Sequence, residues 1–178
     1  HHLALSGGTG STNYRASIGY MDDEQVVGQA GTQTVMANIN LTQKLFEDVL
    51  KIDFGMFGSV QKERQLFGEQ KLFYSAACFN PTFSSSRNAS GGYDGFAAAS
   101  QLANPNAWLQ NEVKPENTHL SVNLNLDFKI LPELHLKLFT AYTLRLGETS
   151  MNLPTEDGGT AYYQKDKQHD ILANLFLT

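Results

Sequence analysis

Hydrophobic and polar residues alternate along most of this chain, in separate runs. Successive side chains of a β-strand point to opposite faces, so strict alternation predicts strands. Leu3 and Leu5 alternate with His2, Ala4 and Ser6. Tyr14, Ala16, Ile18 and Tyr20 stand against Arg15, Ser17 and Gly19. Val35, Ala37, Ile39 and Leu41 stand against Thr34, Asn38 and Asn40, with Met36 an exception on the polar side. Leu50, Ile52, Phe54 and Met56 stand against Lys51, Asp53 and Gly55, and Phe57 breaks that pattern. In the clearest run, Leu120, Val122, Leu124, Leu126 and Phe128 alternate with His119, Ser121, Asn123, Asn125, Asp127 and Lys129. Leu134, Leu136, Leu138 and Tyr142 alternate with His135 and Lys137, and Ile171, Ala173, Leu175 and Leu177 with Asp170 and Asn174. The chain is predicted to be all-β, an antiparallel up-and-down meander of seven or eight strands. An eighth strand has room in Phe67–Phe79 or Thr160–Lys167.

A soluble sandwich also alternates, with its apolar face turned inward. Two features favour a membrane barrel. The runs approach the roughly 9–11 residues that cross a bilayer, and the polar face is rich in Asn, Ser, Thr, Asp and Lys, as suits a wet lumen. Arg15, Asn38, Asn40, His119, Asn123, Asn125, Lys129, His135 and Lys137 are then the lumen-facing candidates. The connections add weight, because they alternate in length. Gly7–Asn13, Phe46–Val49 and Leu131–Glu133 are short, whereas Asp22–Gln33, Arg64–Asn117 and Arg145–Ala161 are long. Transmembrane barrels have short periplasmic turns and long extracellular loops. The first strand is accordingly expected to descend to the periplasm and the second to rise.

The Arg64–Asn117 loop is unusually long for a compact domain, which points to function or disorder. Leu66, Phe67, Leu72, Phe73, Ala76 and Ala77 recur at spacings near three and four, so a short helix is predicted within Gln65–Phe79, ended by Asn80-Pro81-Thr82. Phe96–Leu102 offers a second helical turn, and Asn104-Pro105-Asn106 a turn before Trp108. Phe79, Phe83, Tyr93, Phe96 and Trp108 are the candidates for stacking on a ligand such as a sugar, or for packing the loop against itself or a partner.

Composition narrows the field further. Lys and Arg number 13 against 18 Asp and Glu, for a formal net charge of −5, which gives no electrostatic reason to bind nucleic acid. Charged residues are 17% of the chain, below the roughly 25% of soluble domains. The lone Cys78 rules out an internal disulfide and reads as a small apolar residue in a loop helix. No stretch approaches the roughly 18 apolar residues of a transmembrane helix, and no signal peptide is visible. The chain opens and closes inside strand patterns, as a piece of something longer would. Enzyme signatures such as Gly-x-Ser-x-Gly, His-Glu-x-x-His and a phosphate loop are absent. No two of His1, His2, His119, His135 and His169 have the spacing of a helical metal site. Asp22, Asp23 and Glu24, and Asp94 with Asp157, lack calcium-loop spacing and read as solvated acidic loops. No catalytic residue, metal site or cofactor is predicted.

An ordered set of short motifs resembles a known family. A strand ending in Ser6-Gly7-Gly8 precedes Asn13-Tyr14-Arg15-Ala16-Ser17-Ile18-Gly19-Tyr20. Val26-Val27-Gly28, Asn40-Leu41, Leu50-Lys51, Asn80-Pro81-Thr82 and Ala103-Asn104-Pro105 follow in order. The set resembles the early barrel, just after the plug, of SusC-like TonB-dependent transporters of Bacteroidetes, and spans almost the whole chain. The resemblance implies part of a barrel of about 22 strands in the bacterial outer membrane, in a protein that imports glycans or peptides. It implies a SusD-like surface lipoprotein, the plug domain of the parent chain and periplasmic TonB as partners, with membrane lipid on the apolar face. The long loop lies on the lipoprotein's side. A free-standing small barrel, in the outer membrane or secreted and binding a ligand, is the alternative. If isolated, the piece is expected to curl into a small barrel or pair edge to edge as a dimer.

Overall fold

A computed structural model describes the chain except residues 28–29, 81, 83–85, 88, 90, 94–103 and 155–158. Seven strands form it: β1 (His2–Gly8), β2 (Thr12–Glu24), β3 (Gly31–Leu45), β4 (Leu50–Leu66), β5 (Glu112–Leu131), β6 (Leu134–Leu153) and β7 (Thr160–Leu177). They make one sheet in the order β1-β2-β3-β4-β5-β6-β7, every neighbouring pair antiparallel. The all-β meander expected from the alternation is therefore the fold. The sheet is open: β1 and β7 are its two edges, so the piece has not curled into a small barrel.

The strands outrun their hydrophobic patterns. β4 and β5 extend to Leu66 and from Glu112, well into the expected Arg64–Asn117 loop. β6 and β7 consume most of the expected Arg145–Ala161 loop. The physical reason is that ladder hydrogen bonds are made by the backbone. They continue where both faces turn polar and the period-two signal fades. Neither place suggested for an eighth strand holds one. Phe67–Phe79 carries α1 (Glu69–Cys78), and Thr160–Lys167 begins β7.

The tight turns lie at one end of the sheet. Thr9 N–H donates to the Thr12 carbonyl at 2.7 Å between β1 and β2. Between β3 and β4, Val49 N–H donates to the Phe46 carbonyl at 3.1 Å. Phe46, Glu47 and Asp48 there have φ of 54°, 55° and 69°, a left-handed run that costs energy in residues with a Cβ. At the other end sit the β2–β3 connection, the long β4–β5 loop and the β6–β7 connection.

The core sits at that second end. α1 follows Gly68, whose φ of 77° suits glycine, and α2 (Pro105–Trp108) starts at Asn104, whose side chain accepts from Asn106 N–H at 3.1 Å. Leu72 of α1 and Trp108 of α2 pack together, with Val27, Leu66 and Leu109 around them. Every buried hydrophobic residue described lies in this end: Ala30, Leu72, Ala107, Trp108, Val113 and Leu153.

Candidate functional site: two faces and a charged rung

Residues opposite one another in an antiparallel ladder share a face. The register therefore sorts the sheet into two surfaces. On the first, one rung links Leu5, Ala16, Ile39, Met56, Val122, Tyr142 and Ile171 across all seven strands. The next joins Tyr14, Leu41, Phe54, Leu124, Thr140 and Ala173. No described element forms a layer over these side chains, and Leu5 is 65% and Ile171 77% exposed.

This apolar face ends abruptly towards the long-loop end. Asp22, Gln33, Lys62, Glu116, Glu148 and Lys165 form a single rung across β2 to β7. Glu116 and Glu148 are directly opposed like charges. Each has a cation on its other side: Lys62 Nζ lies 3.6 Å from Glu116, and Lys165 makes a short contact with Glu148. The hydrogen bond from Lys165, followed by that from the Tyr163 hydroxyl, holds the Glu148 carboxyl below the ordinary carboxylate range. The same Glu148 contact pushes the Lys165 ammonium up. Beyond the rung, Lys114 Nζ sits 2.5 Å from Glu112 and Arg64 3.5 Å from it, and the Lys114 hydrogen bond lowers the Glu112 carboxyl. An open cleft of about 650 Å³ lies here, lined by Asp22, Glu24, Lys62, Arg64, Lys114 and Glu148 among others. Asp22, Asp23 and Glu24 are thus not loop residues but the last residues of β2. Asp94 and Asp157 lie outside the described residues.

The second face is polar. Arg15 pairs with Asn40, Asn40 with Gly55 and Gly55 with Asn123, so Arg15, Asn40 and Asn123 occupy one rung. Asn38 lies one rung away, and its side-chain oxygen accepts from Asn40 Nδ2 at 2.5 Å. A Cβ at Gly55 would stand 2.7 Å from Asn123 Oδ1, so this glycine makes room for the asparagine. Asn125 pairs with Asp53, which accepts from Thr42 at 2.7 Å and meets Lys51 at 2.9 Å. Lys129 pairs with His135. His135 Nδ1 lies 2.8 Å from Asp127, and Lys137 3.6 Å from the same carboxylate. His119 pairs with Ser59, and its ring meets Phe57 edge-on at 5.6 Å. Phe57 is therefore in register, a polar-face aromatic resting on a histidine, and Met36 shares that face opposite Ser59.

The aromatic candidates do not converge. Trp108 is 2% exposed and packs the loop against itself, with the Lys71 ammonium 5.0 Å from its ring. Phe79 caps α1 through its N–H to the Ser75 carbonyl at 2.8 Å. Tyr93 bridges Arg87, whose guanidinium lies 6.0 Å from the ring. Phe83 and Phe96 lie outside the described residues, as does the helical turn expected at 96–102. Cys78 falls in α1 and is exposed. Among the described residues no cluster of His, Cys, Asp and Glu has metal-binding geometry. Sequence reasoning missed the charged rung. Its signal is present on four strands, β2, β4, β5 and β6, where alternation on the apolar side ends in Asp22, Lys62, Glu116 and Glu148.

The architecture is that of an antiparallel meander with one exposed apolar face and one polar face. No helix is long and apolar enough to cross a membrane, which says nothing of strands. The chain is 38% identical over 53 residues to the TonB-dependent receptor SusC of Bacteroides thetaiotaomicron. That stretch is 30% of this chain and 5% of the relative. No protein-family model matches. The likeness supports a partial relationship to a TonB-dependent receptor.

Proposed function

We propose that this chain is part of the barrel wall of a SusC-type importer that takes up glycans or peptides across the bacterial outer membrane. The observation that carries the reading is the exposed apolar face bounded by the Asp22–Lys165 rung, backed by a polar face. Water offers no reason to leave Leu5, Ile39 and Ile171 uncovered over a whole sheet, whereas lipid does. Arg15, Asn38, Asn40, His119, Asn123, Asn125, Lys129, His135 and Lys137 then face the lumen, where the plug domain and passing substrate meet them. The long-loop end is extracellular and faces a SusD-like lipoprotein, and periplasmic TonB acts on a part of the importer beyond this chain. A free-standing small barrel is disfavoured, because closure needs β1 to pair with β7, and here both are edges.

Spin labels test the orientation in the full-length protein reconstituted in vesicles. With Cys78 replaced by serine, cysteines at Ile39 and Leu124 are expected to report oxygen-rich lipid, and those at Asn38 and Asn123 water. Water at all four positions overturns the membrane reading. Growth of a deletion strain on single glycans or peptides as carbon source tests the import role.

A further inference from the structure

We propose that the apolar-face side of β7 holds the phosphate-bearing headgroup of an outer-leaflet lipid, between Lys167 and His169. The inference rests on the orientation proposed above. It comes from one irregularity in the apolar face. On the rung just below the charged one, β2 to β6 carry Tyr20, Val35, Val60, Thr118 and Leu146, but β7 carries Lys167. One rung deeper they carry Ile18, Ala37, Gly58, Leu120 and Leu144, but β7 carries His169. The polar border thus drops two rungs on this strand alone. Below it Ile171, Ala173, Leu175 and Leu177 restore the apolar run.

Among the described residues the drop is not compensated. Lys165 is occupied by Glu148. Lys167 and His169 have no ion-pair partner among the described residues, and their cross-strand neighbours are Leu146 and Leu144. Both are exposed. A cation and an imidazole beside leucines, directly above an apolar run, match a lipid that presents an anionic phosphate above its acyl chains. Lysine suits the position, because its stem lies along apolar surface while the ammonium reaches the phosphate. The acyl chains then cover Ile171, Leu144 and Tyr142.

The test uses the full-length protein in nanodiscs of phosphatidylcholine with a minor share of phosphatidylglycerol, extracted and weighed by native mass spectrometry. Wild type is expected to retain phosphatidylglycerol preferentially. The Lys167→Gln variant is expected to lose about fivefold of that preference, and Lys167→Gln with His169→Gln most of it. Lys62→Gln, on the charged rung but on β4, leaves it unchanged. Equal retention by wild type and the double variant overturns the proposal. So does displacement of the lipid by millimolar inorganic phosphate, which would mark a free-phosphate site. The spin label at Leu124 separates the two failures. Lipid exposure there without lipid preference at β7 overturns only this site, and water exposure there overturns the membrane reading with it.

Discussion

Two regions of this molecule solve opposite packing problems. Beyond the charged rung, α1, α2 and the ends of the long strands bury Leu72, Trp108, Val113 and Leu153 in the manner of a small soluble domain. Below it, no described element forms a second layer, and large apolar side chains such as Leu3, Ile18, Leu175 and Leu177 stay exposed. The same chain is thus built for two solvents, and the rung from Asp22 to Lys165 is where one ends and the other begins. In the cap, stability comes from burying side chains against each other. In the wall, the ladders satisfy the backbone, and the surroundings must satisfy the side chains.

Truncating Trp108 to alanine gives the largest expected effect on this contrast. It should cost the cap about 3–5 kcal/mol. Amide exchange should rise in α1 and α2 while the strand segments below the rung keep their protection. Loosening of β2–β5 below the rung would show that the two regions fold as one. Next comes the wall. Val122→Arg, in the middle of the apolar face, should destabilise the protein in lipid vesicles by about 2–4 kcal/mol in denaturant titrations. Asn125→Arg, on the opposite face beside Asp53, should stay within about 0.5 kcal/mol. Equal penalties would abolish the distinction between the faces. Glu47→Gly should stabilise by about 1 kcal/mol, because glycine removes the left-handed penalty at φ 55°; a fall in the unfolding midpoint would contradict this.

The smallest expected effect lies on the border itself. The Glu148 carboxyl is held low by Lys165 and then Tyr163. A lowered folded value means that the stabilisation is fully present above the unfolded carboxylate value, near 4.3, and is lost as pH falls through the folded one. An NMR titration of Glu148 should give a midpoint below that of a free glutamate, moving up in Lys165→Gln. An unchanged midpoint would mean that solvent screens the pair completely.

Seven strands, their faces and the short helix were readable from the sequence, because period two and spacings of three and four are local properties of adjacent residues. Phe57 breaks the alternation because it is an apolar residue on the polar face; β4 continues through it, and only the structure shows that the ring has His119 to rest on. Strand ends were not readable at Lys62–Leu66, Glu112–Asn117 or Thr160–Lys167, since charges on both faces erase the alternation while the ladder persists. Trp108 could equally have been read as a platform or as core, and only its contact with Leu72 decides for core.

What the sequence determined by itself is the two-faced strand: which residues are apolar, and which polar residues must stand opposite them. The tertiary structure decided what lies beside what. Register is a relation between distant segments, set by turns and loop lengths, and it alone aligns Asp22, Gln33, Lys62, Glu116, Glu148 and Lys165 into one border. It alone, too, sets Lys167 and His169 beside leucines, a mismatch that no single strand could reveal.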